Sequence, residues 1–86
     1  MKNWYVYILR CSDGTLYTGS TDDVARRTAV HNSGKGAKYT RARRPVEVVY
    51  TETLPSYSDA LKREYVIKQL TRLQKLQLIE NNKGTG

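Results

Sequence analysis

Few side chains in this sequence can do chemistry, and their spacing says what kind. Tyr7 and Tyr17 flank the turn Ser12-Asp13-Gly14. A three-residue hairpin loop with Gly in the left-handed last position pairs Cys11 with Thr15, Leu9 with Tyr17 and Tyr7 with Gly19. In that register the two tyrosines share a face as diagonal neighbours, about 7–8 Å apart at the backbone. Gly19 then leaves the Tyr7 phenol uncovered and open to close approach. A two-residue Asp13-Gly14 turn would change the parity and put the tyrosines on opposite faces. Further on, Arg27 and His31 are four residues apart and share one face of a helix. Arg27 offers a permanent charge and a planar fork suited to phosphate. His31, the only histidine, can accept or relay a proton near neutral pH. Arg26 points elsewhere and reads as a solvated charge.

Glu64 stands out for its surroundings. Tyr57, Ala60, Leu61, Ile67 and Leu70 mark the apolar side of a helix, and Glu64 falls near the middle of that arc. A carboxylate there is costly unless paired or bound to metal. A salt bridge to Arg27, or to Lys68 at i+4, is one solution. Service as a metal ligand is the other, because Mg²⁺ commonly takes one or two carboxylates and fills its sphere with water and substrate phosphate.

The segment Gly34 to Arg41, continued by Arg43 and Arg44, supplies Lys35, Lys38, Arg41, Arg43 and Arg44 beside two glycines and Tyr39. Glycines let a backbone approach phosphates, and Tyr39 can stack or hydrogen-bond. The segment lacks the length and the Ser/Thr placement of a nucleotide-binding P-loop. A solvated loop is the plainer alternative.

These residues need elements to position them. Trp4 to Arg10 reads as a buried strand and Thr15 to Ser20 as its hairpin partner. Thr21, Asp22 and Asp23 supply the cap and first-turn acids of a helix from Asp23 to Asn32, closed by the glycines at 34 and 36. A basic loop runs on to Pro45. Val46 to Thr53 is a third strand, rich in β-branched residues. Ser56 with Asp59, or Ser58, caps a helix to Leu70, and Thr71 with Gln74 forms a capping box for a last helix ending near Asn81. The order is ββαβαα: an α+β domain with a small, mainly antiparallel three-stranded sheet flanked by helices, spanning residues 1–80, with 81–86 as a disordered tail.

Composition bounds the partners. The 86 residues carry fifteen Lys plus Arg against eight Asp plus Glu, and suffice for one domain. Seven of the basic residues lie between Val24 and Pro45 with no acid among them, so this quarter holds the whole net charge of +7. Such a patch points to a polyanion, nucleic acid first and an anionic membrane second. The single Cys11 excludes a disulfide framework or a cysteine zinc cage. The longest apolar run, Trp4 to Leu9, is too short for a membrane span or a signal peptide, which suggests a cytoplasmic protein.

Taken in order, Tyr5-Val6-Tyr7, Tyr17-Thr18-Gly19 with its tyrosine ten residues after Tyr7, Arg27 eight after that Gly, His31 and Glu64 resemble the GIY-YIG nuclease family. The stretch His31 to Arg41, followed by Arg44-Pro45, is similar to the family's small stand-alone bacterial branch and to the nuclease domain of structure-specific (Holliday-junction and flap) enzymes. The resemblance covers residues 3 to 80. It implies a small central sheet flanked by helices, and hydrolysis of DNA phosphodiesters with one Mg²⁺ or Mn²⁺ ion in repair or recombination. By position Tyr7 resembles the tyrosine that activates or holds the attacking water, and Tyr17 its partner. Arg27 resembles the phosphate-stabilising arginine, Glu64 the metal ligand and His31 an aid to proton transfer. Tyr5 departs from the Gly of the family name, and the late Asn of some members has no counterpart near Lys68 or Gln69. Many members take their target choice from attached domains, so a targeting protein partner is a further expectation. A non-catalytic nucleic-acid-binding module and an accessory subunit are the competing expectations.

Overall fold

The computed structural model describes residues Asn3–Gly84. Among these residues the elements run β1 (Trp4–Arg10), β2 (Leu16–Thr21), α1 (Val24–Asn32), α2 (Lys38–Arg41), β3 (Glu47–Leu54), α3 (Tyr57–Lys68) and α4 (Arg72–Gly84). The sheet order is β2-β1-β3, antiparallel throughout. The unbroken apolar run of β1 is explained by its central place. Val6, Tyr7, Ile8 and Leu9 are all buried because both faces of the strand are covered.

Each face has its own core. Val6 and Ile8 pack with Tyr50, Ala60, Ile67 and Ile79 under α3 and α4. Tyr7 and Leu9 pack with Cys11 and Val46 on the α1 side. A part-buried network ties α3 to the sheet: Arg63 Nε donates to both Glu52 oxygens at 2.8 and 3.1 Å, and the Tyr50 hydroxyl donates to Glu52 at 2.7 Å. The predicted hairpin register holds, with Leu9 opposite Tyr17, Tyr7 opposite Gly19, and Gly14 at φ +84°. The caps also form. Asp23 accepts from the Arg26 amide, Ser56 from Asp59, and Thr71 and Gln74 exchange backbone and side-chain bonds.

Three expectations change. The basic segment is not wholly loop: Lys38–Arg41 forms one helical turn, entered through Ala37 without a side-chain cap. The expected tail does not begin at Asn81, because α4 continues to Gly84; Asn81, Asn82 and Lys83 are tolerated in a helix, and the first strong breaker is Gly84 itself. Residues 85–86 of that expected tail lie outside the described residues. The apolar side of α3 is narrower than its sequence suggests, since only Ala60 and Ile67 are fully covered. Tyr57 and Leu61 are largely exposed, and Tyr57 lies against Trp4 with ring centroids 4.5 Å apart.

Candidate active site

The predicted residues Tyr7, Tyr17, Arg27 and His31 meet on the α1 side of the sheet. The hairpin register brings Tyr7 opposite Gly19, but its phenol is not left uncovered. The ring lies across Gly19 itself, so closely that a Cβ there would stand 2.6 Å from the hydroxyl and 2.8 Å from Cζ. Tyr7 is 1 % exposed. The missing side chain admits the protein's own phenol onto the edge strand rather than an outside group.

The Tyr7 hydroxyl lies 3.0 Å from His31 Nε2, and His31 Nδ1 lies 2.8 Å from Thr40 Oγ1. Thr40 Oγ1 also lies 2.9 Å from the Ala37 carbonyl, to which its one proton must go. The Thr40 oxygen therefore accepts from Nδ1–H. In the neutral ring Nε2 is then unprotonated and accepts from the Tyr7 hydroxyl. Three buried groups thus form a chain with one direction: Tyr7 O–H to His31, His31 N–H to Thr40, Thr40 O–H to a carbonyl. His31 and Thr40 are fully buried. The loop makes room for the imidazole at Gly36, where any side chain would collide with the ring.

Electrostatics follow from that packing. Burial, and next the neighbouring Tyr17, push the Tyr7 phenol up to about 12, while the nearby Arg27 guanidinium opposes the rise. His31 is shifted down from its ordinary value, by burial and then by Arg27. At neutral pH the pair is a phenol and a neutral imidazole, as the hydrogen-bond directions require. Tyr17 frames them, its ring 6.5 Å from Tyr7 and 5.2 Å from His31 between centroids.

Glu64 arrives from the other side. Side chains alternate along β2, so Tyr17 and Gly19 face α1 while Thr18 and Ser20 face α3. Glu64 Oε1 accepts from the Ser20 hydroxyl at 2.5 Å, one residue along from Gly19. They meet on the edge strand β2, beside Gly19, which has no side chain. The carboxylate's charge reaches the Tyr7 phenol and adds to its upward shift. Of the two salt bridges foreseen, Lys68 forms it, at 2.7 Å from Oε2, and Arg27 does not. Glu64 is therefore paired on both oxygens, with Lys68 and with Ser20. Among the described residues no three His, Cys, Asp or Glu side chains cluster. A cation here would rest on this one carboxylate, whose oxygens each keep a further lone-pair site, and on water and phosphate. Such an all-oxygen set suits a hard divalent ion.

The basic segment divides in two. Arg43 is held by the protein's own surface groups: it donates to Asp13 Oδ2 at 3.1 Å and to the Tyr39 carbonyl at 2.8 Å, and it covers the Tyr39 ring at 4.0 Å. Arg44 donates to the Arg41 carbonyl at 2.8 Å and lies over Gly34. Tyr39 is stacked on Tyr17, its centroid 6.0 Å away. Lys35, Lys38 and Arg41 have exposed side chains and no ion pair among the described residues.

Two contributors carry no sequence signature. Thr40 and Ser20 are ordinary hydroxyl residues, made significant by a loop and a helix folding back on them. Asn32 is a third: its side chain bonds both the carbonyl and the amide of Val46, at 3.0 and 2.7 Å, and closes the neck of the basic segment.

Comparison with known proteins agrees with the fold. Residues 3–77 match the family model described as the GIY-YIG catalytic domain. A UPF0213 protein of Staphylococcus epidermidis is 59 % identical over 80 residues, covering 93 % of this chain and 98 % of that one. One from Staphylococcus haemolyticus is 56 % identical over the same shares. The solution structure of a UPF0213 protein from Bacillus halodurans superposes with a TM-score of 0.59 at 54 % identity, covering 91 % of this chain and 83 % of that one. A solution structure from E. faecalis does so with 0.65 at 44 % identity, covering 96 % and 88 %. With residues 3–77 of the chain matched and close relatives of nearly the same size, the chain belongs to the GIY-YIG catalytic-domain family, a family of nucleases.

Proposed function

We propose that this protein is an endonuclease that hydrolyses DNA phosphodiester bonds with one divalent ion, Mg²⁺ or Mn²⁺, held at Glu64. The observation that supports this best is the directed pair Tyr7 O–H to His31 Nε2, with Arg27 beside it and Glu64 on the other face of the edge strand. A phenol raised to about 12 is a poor base alone. His31 changes that. As the attacking water gives a proton to the Tyr7 oxygen, Tyr7 passes its own proton to Nε2, and no phenolate accumulates. The water oxygen forms the new bond to phosphorus, and the departing ester oxygen takes a proton from solvent. Arg27 meets the charge that develops on the phosphate. The bound cation supplies charge neutralisation and a more acidic water.

A nicking assay on plasmid, flap, junction and single-stranded DNA, and on RNA, with each ion tests the reading. Cleavage should fall by about 100-fold or more in Glu64→Gln and Arg27→Ala, while Glu64→Gln keeps its DNA affinity. A wild-type protein that binds DNA but cleaves no substrate with either ion would make the non-catalytic binding module the correct reading.

A further inference from the structure

The charge of this chain is concentrated between residues 24 and 45, yet the fold brings three cations from outside that segment to the same edge of the molecule. Two hollows of about 240 and 210 Å³ share Leu16, Tyr39 and Lys75, and so form one trough between the start of β2 and α4. Lys68 lines one end and Arg72 the other. No Asp or Glu lines either hollow. Lys68 is the residue paired with Glu64, so that end abuts the candidate site. Arg72 and Lys75, one turn apart on α4, have no ion pair among the described residues.

A separate observation points to an occupant. Thr18 lines the Lys68 end, is 4 % exposed, and its Oγ1 is a buried side-chain oxygen with no hydrogen-bond partner among the described residues. A buried hydroxyl left without a partner costs free energy in the folded protein. Phosphate oxygens would complete it, and Lys68 and Lys75 in the same hollow, with Arg72 farther along, would balance their charge.

We infer that this trough holds the phosphate backbone of a nucleic-acid strand running away from the Glu64 edge, with Thr18, Lys75 and Arg72 as its contacts. The inference rests on the nucleic-acid reading above but not on cleavage, and binding without metal tests it. Fluorescein-labelled single-stranded and duplex DNA oligonucleotides are titrated with the protein in EDTA across a salt series, followed by anisotropy. In Arg72→Ala/Lys75→Ala the slope of log K against log salt should become shallower by about 1.4–1.8, since each lost phosphate contact removes about 0.7–0.9. The control Lys62→Ala/Arg26→Ala removes the same charge outside the trough and should move the slope far less. Thr18→Val should weaken binding about tenfold while unfolding at the same or a higher temperature, a combination that a purely structural threonine does not give. A trough variant no different from the control overturns the inference, and so does a Thr18→Val protein that binds like wild type. Wild-type protein that binds neither oligonucleotide overturns it together with the nucleic-acid reading. Wild-type protein that binds but never cleaves overturns only the endonuclease.

Discussion

At the scale of single residues, the site turns on where one proton sits. Thr40 can donate only once, and it does so to the Ala37 carbonyl, so His31 must carry its proton on Nδ1. Thr40→Val keeps the volume but removes that acceptor. Cleavage should drop about 10–100-fold, as for other groups that orient a catalytic ligand, and Thr40→Ser should restore most of it. Nitrogen NMR of the imidazole reads the tautomer directly; an unchanged Nδ1–H form with full activity would refute the role. His31 also links the site to pH. Its pKa in the folded protein lies below the ordinary 6.5, through burial and Arg27, so the unfolded chain takes up the proton first. Its contribution to stability is therefore complete above about pH 6.5 and is lost as the pH falls through the lower folded value. Denaturant melts at about pH 5 and pH 7.5 should show the loss in wild type and less of it in His31→Phe. The residue types were legible in the sequence; the hydrogen-bond directions were not, because they depend on Thr40, nine residues away in α2.

At the scale of elements, the hairpin and the neck of the basic segment do the positioning. The hairpin register could be read from the turn Ser12-Asp13-Gly14, since loop length fixes which residues face each other. Its consequence for Gly19 could not: the glycine admits the Tyr7 ring of its own hairpin. Gly19→Ala should fold, because its backbone is not in the left-handed region, but the phenol must shift by several tenths of an ångström or more. Loss of cleavage by about 100-fold is expected for such a displacement of a reacting group. Wild-type rates in this variant would show that Tyr7 is not at the reaction. Asn32 bridges α1 to the start of β3 across thirteen intervening residues through both its oxygen and its nitrogen. Polar side chains at helix ends are common, so nothing in the sequence singled this one out.

At the scale of the molecule, two small cores on either face of β1 hold the arrangement together. Ile67 is fully buried on α3, three residues after Glu64. Ile67→Ala should cost about 2–5 kcal/mol, a large part of the roughly 5–15 kcal/mol available to a domain. Calorimetry should then show a Tm lowered by about 10 °C or more; a smaller fall would mean that α3 is held mainly by the Arg63–Glu52–Tyr50 network. Within the described residues no helix is long and apolar enough to cross a membrane.

The sequence by itself determined the element order apart from the short α2, the caps and the hairpin register, and it offered Tyr7, Tyr17, Arg27, His31 and Glu64 as candidates. All of these depend on local chemistry or on motifs of fixed spacing. Only the tertiary structure decided that Arg43 and Arg44 are bonded to the protein's own groups, that Lys68 rather than Arg27 pairs with Glu64, and that Arg72 and Lys75 join the basic edge. Those outcomes depend on which elements pack together, and side chains far apart in the chain acquire partners only when burial brings them within hydrogen-bonding distance.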